Sequence, residues 1–129
     1  MPISHVPEAP IVGVWYVQAQ SAPFAHHMFV FHADGTMLQS NPDFGNADTS
    51  DSSGMGIWRN SGPSVQGKFV EINCDRKTRA FASRGVIEYE LTVSGDLFTG
   101  SAAASFYDAA DRLLRGPLVT PLLGSRVRF

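Results

Sequence analysis

The feature that most constrains this chain is an alternation of apolar and polar residues that recurs, between turn signals, along most of its length. Such alternation is typical of β-strands, because successive side chains of a strand point to opposite faces of the sheet. No convincing pattern for a long helix interrupts it, so the chain is expected to be all-β. The predicted strands are residues 13–20, 26–33, 36–41, 55–60, 65–75, 79–93, 97–107, 112–120 and 122–129.

Short turn sequences connect several of these strands. Asp34-Gly35 is a strong hairpin signal, and residues 61–63 and 94–96 are further turns that contain glycine. Sequential hairpins make neighbouring strands antiparallel. Eight or nine such strands in one small domain most naturally close into an up-and-down β-barrel, which leaves no edge strand. A sandwich of two sheets is the alternative.

Composition places the chain among globular proteins of one domain. It has 129 residues, of which 43% are hydrophobic and 17% are charged, and its formal net charge is −2. We interpret residues 1–12, with three prolines, as an extended lead-in and residues 13–129 as a single barrel domain. The charge balance argues against nucleic acid as a partner, because phosphate binding needs a basic face.

The sequence also carries information about the compartment. No stretch approaches the roughly 20 apolar residues that span a bilayer, so we expect no membrane partner. The N-terminus has neither the basic nor the apolar region of a signal peptide. Cys74 is the single cysteine, so no internal disulfide can form. Together these features predict a cytoplasmic protein.

The predicted strand 97–107 is unusually poor in large side chains at its middle, on both of its faces. Small residues in a barrel wall leave volume that Val, Ile or Leu would otherwise fill. The pattern therefore indicates a ligand cavity, although bulky residues from facing strands are an alternative filling. The small residues are Gly100, Ala102 and Ala104 on one face and Ser101, Ala103 and Ser105 on the other.

Two polar residues are candidates for catalysis inside such a cavity. The alternation in strand 79–93 places Tyr89 on the inner face, where its hydroxyl could orient a carbonyl or donate a proton, and core packing with a structural hydrogen bond is the alternative. Glu71 shares a face with Phe69, and a carboxylate in a dry cavity has a raised pKa and can exchange protons with a substrate. If Val70 and Ile72 point inward instead, Glu71 is solvated, and the sequence leaves this choice open.

An apolar, shape-selecting pocket is expected around these two groups. Residues 42–53 are polar and rich in turn formers, which predicts a long mobile loop or flap at the barrel mouth. The predicted substrate-binding residues are Phe29, Phe31, Trp58, Phe69, Phe81 and Phe98.

Neither a metal nor another cofactor is expected. His26 and His27 point to opposite faces of a strand, and only His32 and Asp34 could approach each other, which is too few ligands for a zinc site. The sequence also lacks the glycine-rich, metalloprotease and hydrolase motifs that bind nucleotides or carry out hydrolysis.

Two short motifs resemble the calycin group, the lipocalin-like barrels: Gly13-x-Trp15 in the first strand and Gly124-x-Arg126 in the last. The resemblance implies that Trp15 packs under Arg126 and helps to close one end of the barrel. The spacing of further motifs is similar to that of small bacterial lipocalin-like proteins, and allene oxide cyclase-like barrels are enzymatic relatives. These further motifs are residues 31–36, Gly54-x-Gly56-x-Trp58, Phe98-Thr99-Gly100 and Tyr107-Asp108.

The resemblance and the candidate residues together predict a cofactor-independent cyclase or isomerase, acting on a small hydrophobic substrate of polyketide or terpenoid type. A non-catalytic carrier or sensor of a small apolar ligand is the alternative, and a structural or interaction module without a pocket is a third. A homodimer formed through outer strand faces also stays open, since Val70, Ile72 or Val86 could be exposed.

Overall fold

The computed structural model of the chain describes residues 9–129, and these form nine β-strands. No helix in this part of the chain is long and apolar enough to cross a membrane. The strands are β1 (Gly13–Ala19), β2 (His26–Phe31), β3 (Thr36–Ser40), β4 (Thr49–Asp51), β5 (Gly54–Ser61), β6 (Ser64–Asp75), β7 (Phe81–Ser94), β8 (Leu97–Tyr107) and β9 (Leu113–Arg126).

Eight of these strands close into an antiparallel barrel. The sheet order is β4-β6-β5-β3-β2-β1-β9-β8-β7, and an additional pairing of β6 with β7 closes the ring. Strand β4 lies outside the ring and pairs only with β6. The all-β, up-and-down barrel is therefore confirmed, and the sandwich alternative is wrong. The architecture is consistent with a calycin-like fold in general.

The number of strands agrees with the prediction, but the structure differs from it in two places. Residues 112–120 and 122–129 were expected as separate strands, and they form the single strand β9, which pairs with β8 through Pro121. The part of this strand that precedes Leu122 has no β1 neighbour, so its prolines lie where one side of the strand is unpaired. The ninth strand is instead β4, inside the segment predicted to be a loop.

One end of the barrel, which we call the closed end, is packed around Trp15. The Trp15 and Phe98 rings lie 4.9 Å apart, and the Arg126 guanidinium lies 4.3 Å from the centre of the Trp15 ring. The indole nitrogen of Trp15 donates to the Ile11 carbonyl at 2.8 Å. Arg126 donates to the Val12 carbonyl at 2.8 Å, so the cation also fastens the chain that precedes β1.

Only the end of the predicted lead-in is described. Residues 1–8 lie outside the described part of the chain. The Val12 amide donates to the Ala9 carbonyl at 3.0 Å, so residues 9–12 form a turn rather than an extended segment. Ile11 in this turn is fully buried against the barrel core.

The inner face of β6 is decided by the fold. Phe69 and Asn73 are buried while Ile72 is 46% exposed, so the odd-numbered positions, Glu71 among them, face the interior. Val70 and Val86 lie on the outer face and are half-buried. A homodimer through this face stays a prediction.

The expected inward position of Phe81 is wrong. The register between β6 and β7 shifts at Asn73 and Cys74, so that Cys74 pairs with Phe81 although Asn73 pairs with Ser83. A β-bulge of this kind breaks the strict alternation of a strand. Phe81 is 47% exposed as a result, and Ala82 lines the interior in its place.

Candidate ligand cavity at the open end of the barrel

The barrel contains a cavity of about 470 Å³ at the end opposite Trp15, which we call the open end. This volume is in the range of small-molecule sites. Residues from seven of the eight barrel strands line it, together with residues from the connections between β1 and β2 and between β3 and β5. The apolar part of the lining includes Phe29, Phe69, Ile87, Phe106 and Leu122, and the polar part includes His27, Gln39, Asp51, Glu71, Asn73 and Ser83.

Small residues create this space. Ala102 and Ala104 of β8 both line the cavity, on the wall that the sequence identified as poor in large side chains. Gly85 of β7 makes room for the Glu71 side chain, because a Cβ atom at position 85 would lie 2.9 Å from Cγ of Glu71. Glu71 is paired with Gly85 across the ladder and occupies the volume that this glycine leaves free.

Glu71 is half-buried and faces the cavity. Its Oε1 atom accepts a hydrogen bond of 3.3 Å from the Asn73 amide. Burial is the main cause that raises the pKa of the Glu71 carboxyl to about 7, and the nearby charges of Asp51 and Asp43 contribute to this rise against the opposing effect of the Asn73 bond. A carboxyl with this pKa is present in both protonation states near neutral pH, as a proton-transfer group requires.

Asn73 holds the polar side of the cavity in place. Its Nδ2 atom also donates to Asp51 at 2.7 Å, and its Oδ1 atom accepts from the Ser83 hydroxyl at 2.7 Å. Asp51 reaches this position because β4 pairs with the end of β6, an arrangement that the sequence did not predict. The result is a fixed pair of carboxylates that share one amide donor.

The segment that precedes β4, residues 41–48, is tied down rather than free. The Arg76 guanidinium donates to the Asp43 carbonyl at 2.8 Å and forms an ion pair of 3.1 Å with the Asp43 carboxylate. The Ser50 hydroxyl donates to that carboxylate at 2.7 Å, and this bond is the main reason that the pKa of Asp43 is lowered. The predicted flap therefore has a folded anchor beside the cavity mouth.

Gln39 is a site residue that the sequence analysis missed. It is 1% exposed, lines the cavity, and has a neighbour in His27, whose Nδ1 lies 2.7 Å from the Gln39 Oε1 atom. The other ring nitrogen of His27 donates to the Phe24 carbonyl at 2.8 Å. The signal was present, because the alternation with buried Met37 places a polar residue on the inner face of β3.

Tyr89 lies on the inner face, as the alternation predicted, but in the packed core and not at the cavity. Its side chain is buried among Phe29, Phe31 and Phe69, and its hydroxyl donates to the Ile57 carbonyl at 3.1 Å. Burial raises the pKa of this phenol. Tyr89 does not line the cavity, so the hydrogen bond to the barrel wall is the interaction that its hydroxyl makes.

The six predicted substrate-binding residues separate into groups. Phe29 and Phe69 line the cavity. Phe31 and Phe98 are buried toward the closed end, and the Trp58 indole nitrogen donates to the His32 carbonyl at 2.8 Å. Phe81 lies on the outside. Within residues 9–129, no group of three or more His, Cys, Asp or Glu side chains is placed to hold a metal ion.

Comparisons with known proteins leave the site to be interpreted from its own geometry. No protein-family model, no curated protein and no solved structure matches the chain. The fold and the cavity therefore define a class only. This class is an eight-stranded antiparallel barrel whose cavity, at one end, is mainly apolar and has polar side chains on one side.

Proposed function

We propose that this protein is a cofactor-independent isomerase or cyclase that acts on a small, largely apolar substrate held in the cavity. The observation that carries the proposal is the half-buried Glu71 carboxyl, which faces a mainly apolar space of about 470 Å³. Within this scheme Glu71 is the general base and then the general acid.

The chemistry needs no oxidant or co-reactant. The Glu71 carboxylate takes a proton from a carbon beside a carbonyl group, and the electron pair of the broken C–H bond moves toward the carbonyl oxygen. If a C=C bond is conjugated with the enolate, the carboxylic acid returns the proton at the far carbon of the conjugated system and the double bond moves. If the enolate carbon instead adds to a second carbonyl carbon and closes a ring, the π electrons of that C=O bond form an alkoxide, which takes the proton from the acid. The apolar wall supplies the rest of the rate by holding one reactive conformer.

The resemblance of the Gly13-x-Trp15 and Gly124-x-Arg126 motifs to lipocalin-like barrels supports this class of ligand. Allene oxide cyclase-like barrels provide a precedent for cofactor-free chemistry in such a cavity. Polyketide-like or terpenoid-like molecules suit the proposed site, because they combine an apolar skeleton with carbonyl groups of the kind that Glu71 would act beside.

The proposal is tested with β-tetralone, an apolar bicyclic ketone whose α-protons exchange with solvent. We expect the wild-type protein to accelerate exchange of these protons in D2O, measured by proton NMR. Glu71→Gln removes the base with little change of shape, so it should abolish the acceleration while the ketone still binds. Glu88→Gln, an exposed carboxyl on the adjacent strand, is the matched control and should leave the rate unchanged.

A carrier or sensor is the second candidate, and the apolar lining around Phe29 and Phe69 favours it equally. A carrier needs shape and one anchoring polar group, so it would bind β-tetralone without accelerating exchange at any pH. That result would overturn the enzymatic proposal and retain the ligand class. Absence of binding to the wild-type protein would overturn both.

A further inference from the structure

The buried Gln39 amide carries an unused hydrogen-bonding atom. Its Nε2 has no partner among the protein atoms, and it is the sole buried side-chain nitrogen or oxygen of the described residues in this condition. The residue lines the cavity and is 1% exposed. An unpartnered buried donor destabilises a fold, so its presence points to a ligand atom that completes it.

One amide atom of Gln39 is left without a partner whichever way the amide is turned, and the orientation decides whether it is the nitrogen or the oxygen. The Phe24 carbonyl can only accept, so Nε2 of His27 carries a proton. Because Nε2 is protonated, Nδ1 of His27 donates to Oε1 of Gln39 only when the imidazole carries both protons and is a cation. A neutral imidazole accepts at Nδ1 from the nitrogen of a rotated amide. The amide atom without a partner is the Nε2 donor in the first arrangement, which is the one the amide adopts here, and the Oε1 acceptor in the second.

The sheet register places Gln39 and Glu71 on the same level of the barrel. Gln39 pairs with Gly54 of β5, and Met55 pairs with Val70 of β6, so the next step of this ladder brings Gly54 beside Glu71. Two strand spacings separate the backbones of Gln39 and Glu71 by about 10 Å.

Gly54 keeps the interval between the two groups apolar. It carries no side chain, and the Phe69 ring lies over it, since a Cβ atom at Gly54 would be 2.4 Å from Cδ2 of that ring. The wall therefore presents an amide donor, an aromatic surface and a carboxyl in sequence. A flat apolar molecule can lie on the ring with a polar atom at one edge.

We propose that Gln39 orients the substrate by donating from Nε2 to a carbonyl oxygen, and that the substrate class is an apolar ketone or enone whose α-carbon faces Glu71. This inference rests on the proposed function of the cavity. When Glu71 takes the α-proton, the C–H electron pair forms the enolate and its charge grows on the oxygen that Gln39 holds. A donor already aimed at that oxygen stabilises the enolate.

The test compares β-tetralone with tetralin, the hydrocarbon of the same shape, by NMR titration of the full chain. Gln39→Met keeps the side-chain length and removes the amide. We expect it to weaken β-tetralone binding about tenfold and to leave tetralin binding unchanged. The rate of α-proton exchange at saturating ketone should fall about 100-fold. Gln66→Met, at a glutamine on the outer side of β6, is the matched control and should change neither affinity nor rate.

A spectroscopic measurement on the wild-type protein tests the role of Gln39 even if the Gln39→Met variant does not fold. The side-chain amide resonances of Gln39 in the wild-type protein should shift when β-tetralone is added and stay in place with tetralin. Absence of a shift at saturating ketone would overturn the role of Gln39 whether or not the variant folds.

The outcomes separate this inference from the function on which it rests. If Gln39→Met weakens ketone and hydrocarbon equally, or neither, Gln39 does not recognise the oxygen and the cavity proposal stands. Tighter binding of β-tetralol than of β-tetralone would show that the amide presents its oxygen, and would overturn the donor assignment. If the wild-type protein binds neither compound, the cavity proposal fails and takes this inference with it.

Discussion

The closed and the open end of the barrel are built from different kinds of residue. At the closed end, Trp15, Phe31 and Phe98 are almost fully buried, and the connections 62–63 and 95–96 are tight turns. At the open end, alanine and glycine line the wall, the connections are longer, and the buried groups include an amide and a carboxyl.

The difference places the densely packed core mainly at one end and the proposed ligand site at the other. Large apolar side chains that interlock at native density provide the free energy of folding. Small residues forgo that packing, and a half-buried carboxyl such as Glu71 subtracts from stability when it is ionised. A barrel can tolerate such an open end because its other end is well packed. The four predictions below test this division, in order of the expected effect on stability.

The largest effect is expected at the closed end. Trp15→Ala removes the Phe98 contact, the support of Arg126 and the bond to Ile11, so the free energy of unfolding should fall by about 3–5 kcal/mol. Urea denaturation measures it. Phe81→Ala, at an exposed aromatic residue, is the control and should cost less than about 1 kcal/mol. Equal losses in the two variants would contradict the division.

The second prediction concerns Glu71. Its pKa is raised from 4.5 to about 7 in the folded protein, so folding is favoured by protonation, and this stabilisation is lost as pH rises through about 7. Glu71→Gln should therefore be more stable than wild type by about 3 kcal/mol above that pH, and equally stable below pH 4.5. Urea denaturation across the pH range measures the difference, and the Glu88→Gln control should show none. A difference that does not vary with pH would refute the raised pKa.

The third prediction fills the cavity. Ala102→Leu places a larger side chain in the wall of the open end, so binding of β-tetralone should be lost. The free energy of unfolding should change by about 1 kcal/mol or less, because the cavity accommodates the added atoms. Ala103→Leu, at the neighbouring position that points away from the cavity, should leave binding intact. If Ala102→Leu still binds β-tetralone, the ligand does not bind in this cavity.

The smallest effect is expected at the mouth. Arg76→Gln removes the ion pair to Asp43 and the bonds to residues 43 and 46, and since these groups are partly exposed the loss should be below about 1 kcal/mol. Hydrogen exchange of the amides of residues 41–48 should nevertheless become faster. Arg84→Gln removes a comparable ion pair with Asp111, away from this segment, and should leave that exchange unchanged. Unaltered exchange in Arg76→Gln would show that the anchor lies elsewhere.

Much of the fold was predictable because its signals are local. The alternation that defines β7 and β8 and the glycine turn between them act over a few residues, and they predicted both strands within two residues of their ends. The small residues of β8 indicated a cavity, and Ala102 and Ala104 line it. Errors arose where pairing overrides local pattern, as at the bulge that turns Phe81 outward and at the two segments that β9 unites.

The candidate site was less predictable, because it depends on which elements meet. The pattern around Glu71 is balanced between two faces, and only barrel closure selects the inner one. Asp51 approaches Asn73 through the pairing of β4 with β6, and Gln39 meets His27 through the pairing of β2 with β3, which leaves the Nε2 atom of Gln39 without a partner. The members of each pair are 22 and 12 residues apart in sequence.

By itself, then, the sequence determined that the chain is all-β, where its turns lie and that one wall is made of small residues. Each of these follows from the chemistry of adjacent residues. The tertiary structure alone decided that Glu71 and Gln39 share one level of the cavity wall and that Tyr89 is bound into the core. The physical reason is that strand alternation defines two faces but only the closure of the ring makes one of them the inside.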